Sequence, residues 1–125
     1  MLHILTVGAG GFLGAIARYL VTTAIQKRIP AFPPAGTLAV NILGCLLLGM
    51  LMSKIGRQEL SDEVRLFLVT GCLSALTTFS TFSFETLALA QQNRLPAALA
   101  NVLLSVLLGL LAVWIGYTLV EMRSA

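Results

Sequence analysis

Residues 77–83 read Thr77-Thr78-Phe79-Ser80-Thr81-Phe82-Ser83, so five hydroxyl groups and two phenylalanines occur within seven consecutive positions. This run lies in the middle of an apolar segment that extends over about residues 64–90. Serine and threonine hydroxyls compete for backbone hydrogen bonds, and β-branched threonine is a mediocre helix former. We therefore predict that a long apolar helix is broken at this run. The alternative is an intact helix whose hydroxyls bond back to preceding carbonyls.

The composition indicates that lipid is the solvent for most of the chain. Hydrophobic residues make up 58% of its 125 residues, charged residues make up 10%, and the mean hydropathy is +0.94. These values lie outside the usual range of a water-soluble domain. A chain of this length has room for one domain, so we predict a single transmembrane domain over residues 1–125.

Four segments are long enough to cross a hydrocarbon core, which requires about 20 predominantly apolar residues. They cover about residues 4–25, 36–52, 64–90 and 95–120, and the polar stretches 26–34, 54–63 and 91–94 connect them. The first segment could instead be a cleaved secretory signal, but no Lys or Arg precedes it. The expected fold is an all-α, multi-pass protein of the cell (inner or plasma) membrane, with its third helix broken mid-membrane.

Lys and Arg are distributed almost evenly between the two ends of the predicted helices. When Arg18 is set aside as intramembrane, Lys54, Arg57, Arg65 and Arg123 lie on the side of the termini, and Lys27, Arg28 and Arg94 lie opposite. Because Lys and Arg normally stay in the cytoplasm, such a chain has almost no preferred orientation. Four helices also enclose little interior. We therefore expect an antiparallel, dual-topology homodimer, the alternative being a weak bias that other signals resolve.

Composition also excludes two classes of function. The formal charge is +3 and the pI is near 9.3, but no long basic run or aromatic ladder occurs, so nucleic-acid binding is not expected. His3 is most simply an interfacial residue, and Cys45 and Cys72 lie within apolar segments. One His and two buried Cys form no catalytic or metal-binding constellation, so the protein is not expected to be an enzyme.

The polar residues of the apolar segments suit a small anion, because hydroxyls and amides donate hydrogen bonds while fixed positive charge is almost absent. Phe79 and Phe82, three residues apart, can present the positive edges of their rings without gripping the ion tightly. In the second segment Thr37 lies one helical turn before Asn41 on the same face, and in the fourth segment Asn101 and Ser105 share one face. The candidate pathway contains Thr37, Asn41, Phe79, Ser80, Thr81, Phe82, Asn101 and Ser105. For Asn41 and Asn101 the alternative role is bonding between helices.

Two intramembrane charges complete the candidate site, since an ionisable group at that depth suggests function. Arg18 either snorkels to the interface or draws anions into a vestibule. Glu85 either gates or relays anions at a pore mouth, or serves as a structural hydrogen-bond partner or an ion pair with Arg18. The residues alone leave these alternatives open.

Three motifs stand out together: Gly10-Gly11-Phe12-Leu13-Gly14-Ala15-Ile16-Ala17-Arg18, Gly36-Thr37-Leu38-Ala39-Val40-Asn41, and Thr77-Thr78-Phe79-Ser80-Thr81-Phe82-Ser83-Phe84-Glu85-Thr86. At these residues, and over nearly the whole chain, the sequence strongly resembles the Fluc (CrcB) family of fluoride channels. The resemblance implies a passive, fluoride-selective channel that exports toxic fluoride, with two pores in an antiparallel dimer. Each pore is expected to be lined by Phe79, Phe82, Asn41, Ser105 and other donors.

The resemblance also implies a structural sodium ion (Na+) on the dimer axis, held by backbone carbonyls at the helix break. The matching positions are Ser74 and Thr77. The sequence departs from the family at Leu73-Ser74-Ala75-Leu76, where relatives usually carry two adjacent glycines, so Ser74 must adopt the required backbone shape without glycine's freedom. Gly109 stands where some relatives place a hydroxyl.

Two other membrane functions are less well supported. Small multidrug transporters also have four helices, but they resemble one another in a first-helix glutamate, whereas the first segment here has Arg18 and no acid. A non-conducting scaffold would explain faces of small residues but would not explain the clustered hydroxyls and phenylalanines.

Overall fold

The computed structural model describes residues 1–123, and Ser124 and Ala125 of the predicted domain lie outside that range. The described chain is helical, with α1 at Leu2–Arg28, α2 at Ala35–Gly56, a composite third segment at Asp62–Gln91 and α6 at Leu95–Arg123. All four segments are long and apolar enough to cross a membrane, as the sequence predicts.

The helices extend beyond the apolar stretches from which they were predicted. α1 continues through Lys27 to Arg28, and α2 continues through Lys54 to Gly56, so the connections are shorter than expected, at 29–34, 57–61 and 92–94. Charged residues can end a spanning helix because they reach the headgroup region. α1 stops at Ile29, whose φ is −128° and ψ is 64°. Ile29 precedes Pro30, and proline disfavours a helical conformation of the residue before it.

The third segment consists of several pieces. A short helix, α3, covers Asp62–Arg65 and is followed by a π-helix over Leu66–Leu73 and by the single turn α4, Ser74–Leu76. Thr77 and Thr78 then have extended backbone, with ψ angles of 157° and 118°, before α5 begins at Phe79 and runs to Gln91. The π-helix, in which bonds span five residues, has no counterpart in the sequence prediction.

Glycines bring the helix backbones into contact at two seams. α2 and α6 form the most extensive packing of the molecule. There, a Cβ added at Gly49 would meet the carbonyl oxygen of Val113, and one added at Gly116 would meet that of Leu46. α1 packs in the same way on the π-helix, where a Cβ at Gly10 would meet the carbonyl oxygen of Phe67. These seams are the close approaches that small residues permit in membranes.

A polar cluster fastens the ends of α2 and α6. Ser53 Oγ donates to Glu121 Oε1 at 2.7 Å, and Arg57 Nη2 lies 2.8 Å from Glu121 Oε2. The hydrogen bond to the Glu121 carboxylate raises the pKa of the Arg57 guanidinium. Since Ser53 is almost fully buried, the cluster gives its hydroxyl a partner inside the helix pair.

Candidate functional site

The interruption between α4 and α5 is bridged by the side chain of Asn41 from α2. Asn41 Oδ1 accepts the Thr78 N–H at 2.8 Å, and Asn41 Nδ2 donates to the Thr78 carbonyl oxygen at 3.1 Å. One amide therefore satisfies both backbone groups of a residue that has left the helix. The second hydrogen of Nδ2 remains as a further donor.

The Thr78 side chain begins the next helix. Its hydroxyl accepts the Thr81 N–H at 3.3 Å, as a helix N-cap does, and lies 3.0 Å from Thr81 Oγ1 and 3.3 Å from Ser80 Oγ. Ser80 and Thr81 are exposed on the surface of the single chain. Two of the hydroxyls that were predicted to line a pathway, those of Ser80 and Thr81, therefore form a cluster with Thr78 at the N-terminus of α5. Neither residue is among those that line the cavity beside the interruption.

Backbone carbonyls are released from the helical pattern next to this cluster. In a continuous helix the Thr78 N–H would bond the Ser74 carbonyl, but here it donates to Asn41. Thr77 has φ −83° and ψ 157°, an extended conformation, so its carbonyl also no longer points along the helix as the carbonyls of α4 do. Ser74 itself has φ −63° and ψ −31°, an ordinary helical conformation that serine adopts as readily as most residues. This position therefore does not require glycine's conformational freedom.

A cavity of about 390 Å³ opens beside the interruption. It brings together six of the predicted residues, from α2, α4, the interruption, α5 and α6: Asn41, Ser74, Thr77, Phe79, Phe82 and Ser105. The remaining lining residues are Gly44, Cys45, Leu48, Val69, Leu73, Thr78 and Val106. Among these described residues none carries a charge, so the cavity is apolar with a few hydrogen-bond donors.

The two phenylalanines of the run line this cavity next to each other. Their ring centroids are 5.5 Å apart and the planes are tilted by 41°. Phe79 is 79% exposed in the single chain, whereas Phe82 is half-buried. Ring edges carry the positive end of the aromatic quadrupole, so phenylalanines that line a cavity can interact with an anion through their polarised C–H groups.

The Ser105 hydroxyl contributes an unused polar group. Its oxygen is buried and has no hydrogen-bond partner within residues 1–123. A buried hydroxyl without a partner is costly in an apolar setting unless a ligand or water completes its bonding. Together with the free N–H of Asn41 and the ring edges of Phe79 and Phe82, it forms a set of donors that can replace part of an anion's hydration shell.

Two predicted residues pair with each other outside the cavity lining. Thr37 donates through Oγ1 to Glu85 Oε1 at 2.9 Å, and Glu85 Oε2 is buried without a partner in the described chain. None of the ion pairs within residues 1–123 joins Glu85 to Arg18. Arg18 is half-buried on α1 and is not among the cavity-lining residues.

Asn101 also lies outside the cavity lining and bonds between helices. Its Nδ2 donates to Thr86 Oγ1 at 2.8 Å, and Thr86 Oγ1 donates to the Phe82 carbonyl oxygen at 2.7 Å. Asn101 on α6 is therefore connected to the backbone of Phe82 on α5.

Some hydroxyls of residues 77–83 do donate to the carbonyl of the preceding helical turn, which was the alternative to a broken helix. Ser83 Oγ, for example, donates to the Phe79 carbonyl oxygen at 2.9 Å.

Sequence reasoning did not assign a role to Thr78 or Thr86. The spacing Thr78-x-x-Thr81 is compatible with an N-cap and could have identified Thr78. No comparable signal identifies Cys45, Leu48 or Val106, because apolar lining residues look the same in sequence as any residue of a membrane helix.

Comparison with known proteins gives a consistent result. A family model described as CrcB-like protein, Camphor Resistance (CrcB), matches residues 5–117. Relatives described as "Fluoride-specific ion channel FluC" include one from Salinibacter ruber, 45% identical over 93% of this chain and 87% of its own length. Another from Campylobacter lari is 46% identical over 91% and 93%. A third from Rhizobium meliloti is 46% identical over 97% and 98%.

Replacing Asn41 by leucine tests the bridge. Asn41→Leu leaves the N–H and C=O of Thr78 without the amide, so we expect a loss of about 1–3 kcal/mol in stability. The measurement is the temperature at which the purified protein loses its monodisperse gel-filtration peak. Ser105→Ala is the control, because it removes a cavity hydroxyl that bonds nothing within residues 1–123 and should leave this temperature nearly unchanged. An Asn41→Leu protein as heat-stable as wild type would contradict the bridge.

Proposed function

The chain belongs to the CrcB-like family, and on that premise we propose that it is a fluoride-selective passive ion channel that exports toxic fluoride from the cell. It is a multi-pass membrane protein. The observation that supports the proposal best is the uncharged cavity at the interruption of the third segment, where donors of Asn41 and Ser105 meet the rings of Phe79 and Phe82.

Fluoride must lose hydration water to cross the membrane, and these groups replace it. The free N–H of Asn41 and the hydroxyl of Ser105 donate hydrogen bonds, and the ring edges of Phe79 and Phe82 supply weaker polarised C–H contacts. The N-terminus of α5 borders the same cavity and adds the positive end of its dipole. Because no cation lies among the described lining residues, binding stays weak enough for the ion to leave.

A second copy of the chain completes each pathway. The cavity is open on the surface of the single chain, its lining residue Phe79 is exposed, and Ser80 and Thr81, which follow Phe79 in the sequence, are exposed as well. Polar hydroxyls facing hydrocarbon are unfavourable, so a partner that covers them is required. The balanced Lys and Arg content supports an antiparallel homodimer, with the break at mid-membrane. Its two-fold axis generates two equivalent pores.

The remaining polar residues act at the ends of the pathway or on its walls. Glu85 holds one carboxylate oxygen on Thr37 and keeps the other buried and without a partner in the described chain, which suits a gate that fluoride or a proton must engage. Asn101 positions Phe82 through Thr86. Arg18, which has no ion-pair partner in the described chain, draws anions toward the entrance.

Sodium is proposed as a structural ion of the dimer. The carbonyl oxygens of Ser74 and Thr77, freed at the interruption, suit a hard monovalent cation, and both protomers would contribute them. Within residues 1–123 no group of three or more His, Cys, Asp or Glu could hold a metal, and the ligands proposed for sodium are backbone carbonyl oxygens. When bound, sodium would neutralise the carbonyl dipoles that the two interruptions bring together.

Substitution of the phenylalanines tests the channel. Phe79→Ile and Phe82→Ile keep an apolar side chain but remove the polarised ring edge, so fluoride efflux from proteoliposomes should fall about tenfold or more while the dimer stays monodisperse. A fluoride electrode records the efflux, with chloride and an imposed proton gradient as comparisons. Phe84→Ile is the matched control, because Phe84 is on the same helix, exposed, and outside the cavity lining. Wild-type efflux in both Phe79→Ile and Phe82→Ile, or efflux coupled to protons, would refute this mechanism.

The antiparallel arrangement is tested by the location of the C-terminus. With four Lys and Arg on one side and three on the other, a protease-cleavable C-terminal tag should be cut in about half of the chains when protease is added outside spheroplasts. Complete cleavage after detergent addition serves as the control. Cleavage of all chains or of none before detergent would show a single orientation.

Retention of the ion tests the sodium site. Purified dimer dialysed against potassium should keep roughly one sodium per dimer by elemental analysis, because a buried set of carbonyls exchanges slowly and prefers one ion size. Protein dialysed against sodium provides the reference value. Full fluoride efflux from a preparation that contains no sodium would remove the ion from the proposal.

A further inference from the structure

The last three turns of α1 carry two parallel rows of side chains that neither the cavity nor the dimer proposal uses. Tyr19, Thr23 and Lys27 follow one another at four-residue steps, and Leu20, Ala24 and Arg28 form the adjacent row. A shallow groove runs between the two rows and is lined by all six residues. Tyr19 and Leu20 are well exposed at its inner end, and Lys27 and Arg28 are exposed at its outer end.

The groove opens at the positively charged end of the molecule. Arg94 Nη2 donates to the Ala31 carbonyl oxygen at 3.2 Å, so the α5–α6 turn is held against the α1–α2 connection near Lys27 and Arg28. The ion pairs within residues 1–123 involve neither Lys27 nor Arg28. Glu85, the one acid in this half of the described chain, lies within α5 and accepts from Thr37. The other acids belong to the opposite end: Glu59, Asp62, Glu63 and Glu121.

The Thr23 hydroxyl is a free polar group inside the groove. Thr22, its neighbour, donates to the Arg18 carbonyl oxygen at 2.7 Å, as threonines in helices commonly do. No hydrogen bond of the described residues involves Thr23 Oγ1. Thr23 lies one turn below Lys27, about 6 Å toward the membrane centre, so its hydroxyl is available to a partner from outside the protein at that depth.

We propose that this groove on α1 is a binding site for an anionic phospholipid. The phosphate lies between Lys27 and Arg28, the glycerol ester region accepts a hydrogen bond from Thr23, and an acyl chain packs along Tyr19 and Leu20. The order of charge, hydroxyl and apolar surface along the helix matches the order of phosphate, ester and hydrocarbon with depth in a leaflet. Positive charge that is not offset by ion pairs selects an anionic headgroup over a zwitterionic one.

Native mass spectrometry of the purified full-length protein tests the site. The protein is titrated with phosphatidylglycerol and with phosphatidylcholine of the same acyl chains. Wild type should favour phosphatidylglycerol, and the double variant Lys27→Gln/Arg28→Gln should bind it roughly 10- to 30-fold more weakly. The control Lys54→Gln/Arg65→Gln removes the same charge from the ion-paired opposite end and should keep wild-type affinity. Equal loss in both double variants, or none in the first, would overturn the proposal.

Two further measurements test where the ester region lies and whether a free anion could occupy the groove instead of a lipid. Thr23→Val should weaken phosphatidylglycerol binding severalfold, whereas Thr22→Val, whose hydroxyl is already bonded within the helix, should not. Equal binding by both variants would overturn the assignment of Thr23 to the ester region. Inorganic phosphate at millimolar concentration should not displace the lipid, since it lacks acyl chains. Displacement by phosphate alone would identify a free-anion site and reject the lipid.

Discussion

The double hydrogen bond from Asn41 to the backbone of Thr78 is the interaction on which the third segment depends. In hydrocarbon, an N–H or C=O without a partner is so costly that spanning segments are normally continuous helices. Asn41 offers one acceptor at 2.8 Å and one donor at 3.1 Å, as a neighbouring peptide group would. A carboxylate lacks the donor, so asparagine is suited to this position in a way that aspartate is not.

Most features of the site follow once the chain can leave the helix at Thr78. The Thr78 hydroxyl caps α5, which sets where its first turn begins. That turn holds Phe79 and Phe82 three residues apart, with their rings 5.5 Å from each other at the cavity. The Phe82 carbonyl is then tied through Thr86 to Asn101 on α6. Disturbing one of these bonds should therefore affect the others, because they share the same short stretch of backbone.

The sequence predicts local features of this site better than distant ones. Four apolar lengths predict the four spanning segments, and the density of hydroxyls predicts an opening at residues 77–83, where Thr77 and Thr78 have extended backbone. The pairing of Asn41 with Thr78 joins residues 37 positions apart, which periodicity cannot specify. The π-helix at Leu66–Leu73 packs closely against α1, and no residue propensity in the sequence signals it.

Charge acts on orientation and on lipid contact in different ways. Orientation during insertion depends on Lys and Arg near the spans and little on acids, so a count of four against three leaves it undecided. Lipid contact depends instead on the net charge at each end of the folded molecule. Carboxylates such as Glu59 and Glu121 offset the cations at one end, whereas no carboxylate offsets Lys27 and Arg28 at the other end within the described residues. In an antiparallel pair each leaflet meets one basic and one neutral end. Under the proposals above, anionic lipid in one leaflet would contact the groove of one protomer, and anionic lipid in the other leaflet would contact the groove of its partner. Because turning such a pair over in the membrane leaves it unchanged, lipid contact would not restore the orientation bias that the Lys and Arg count lacks.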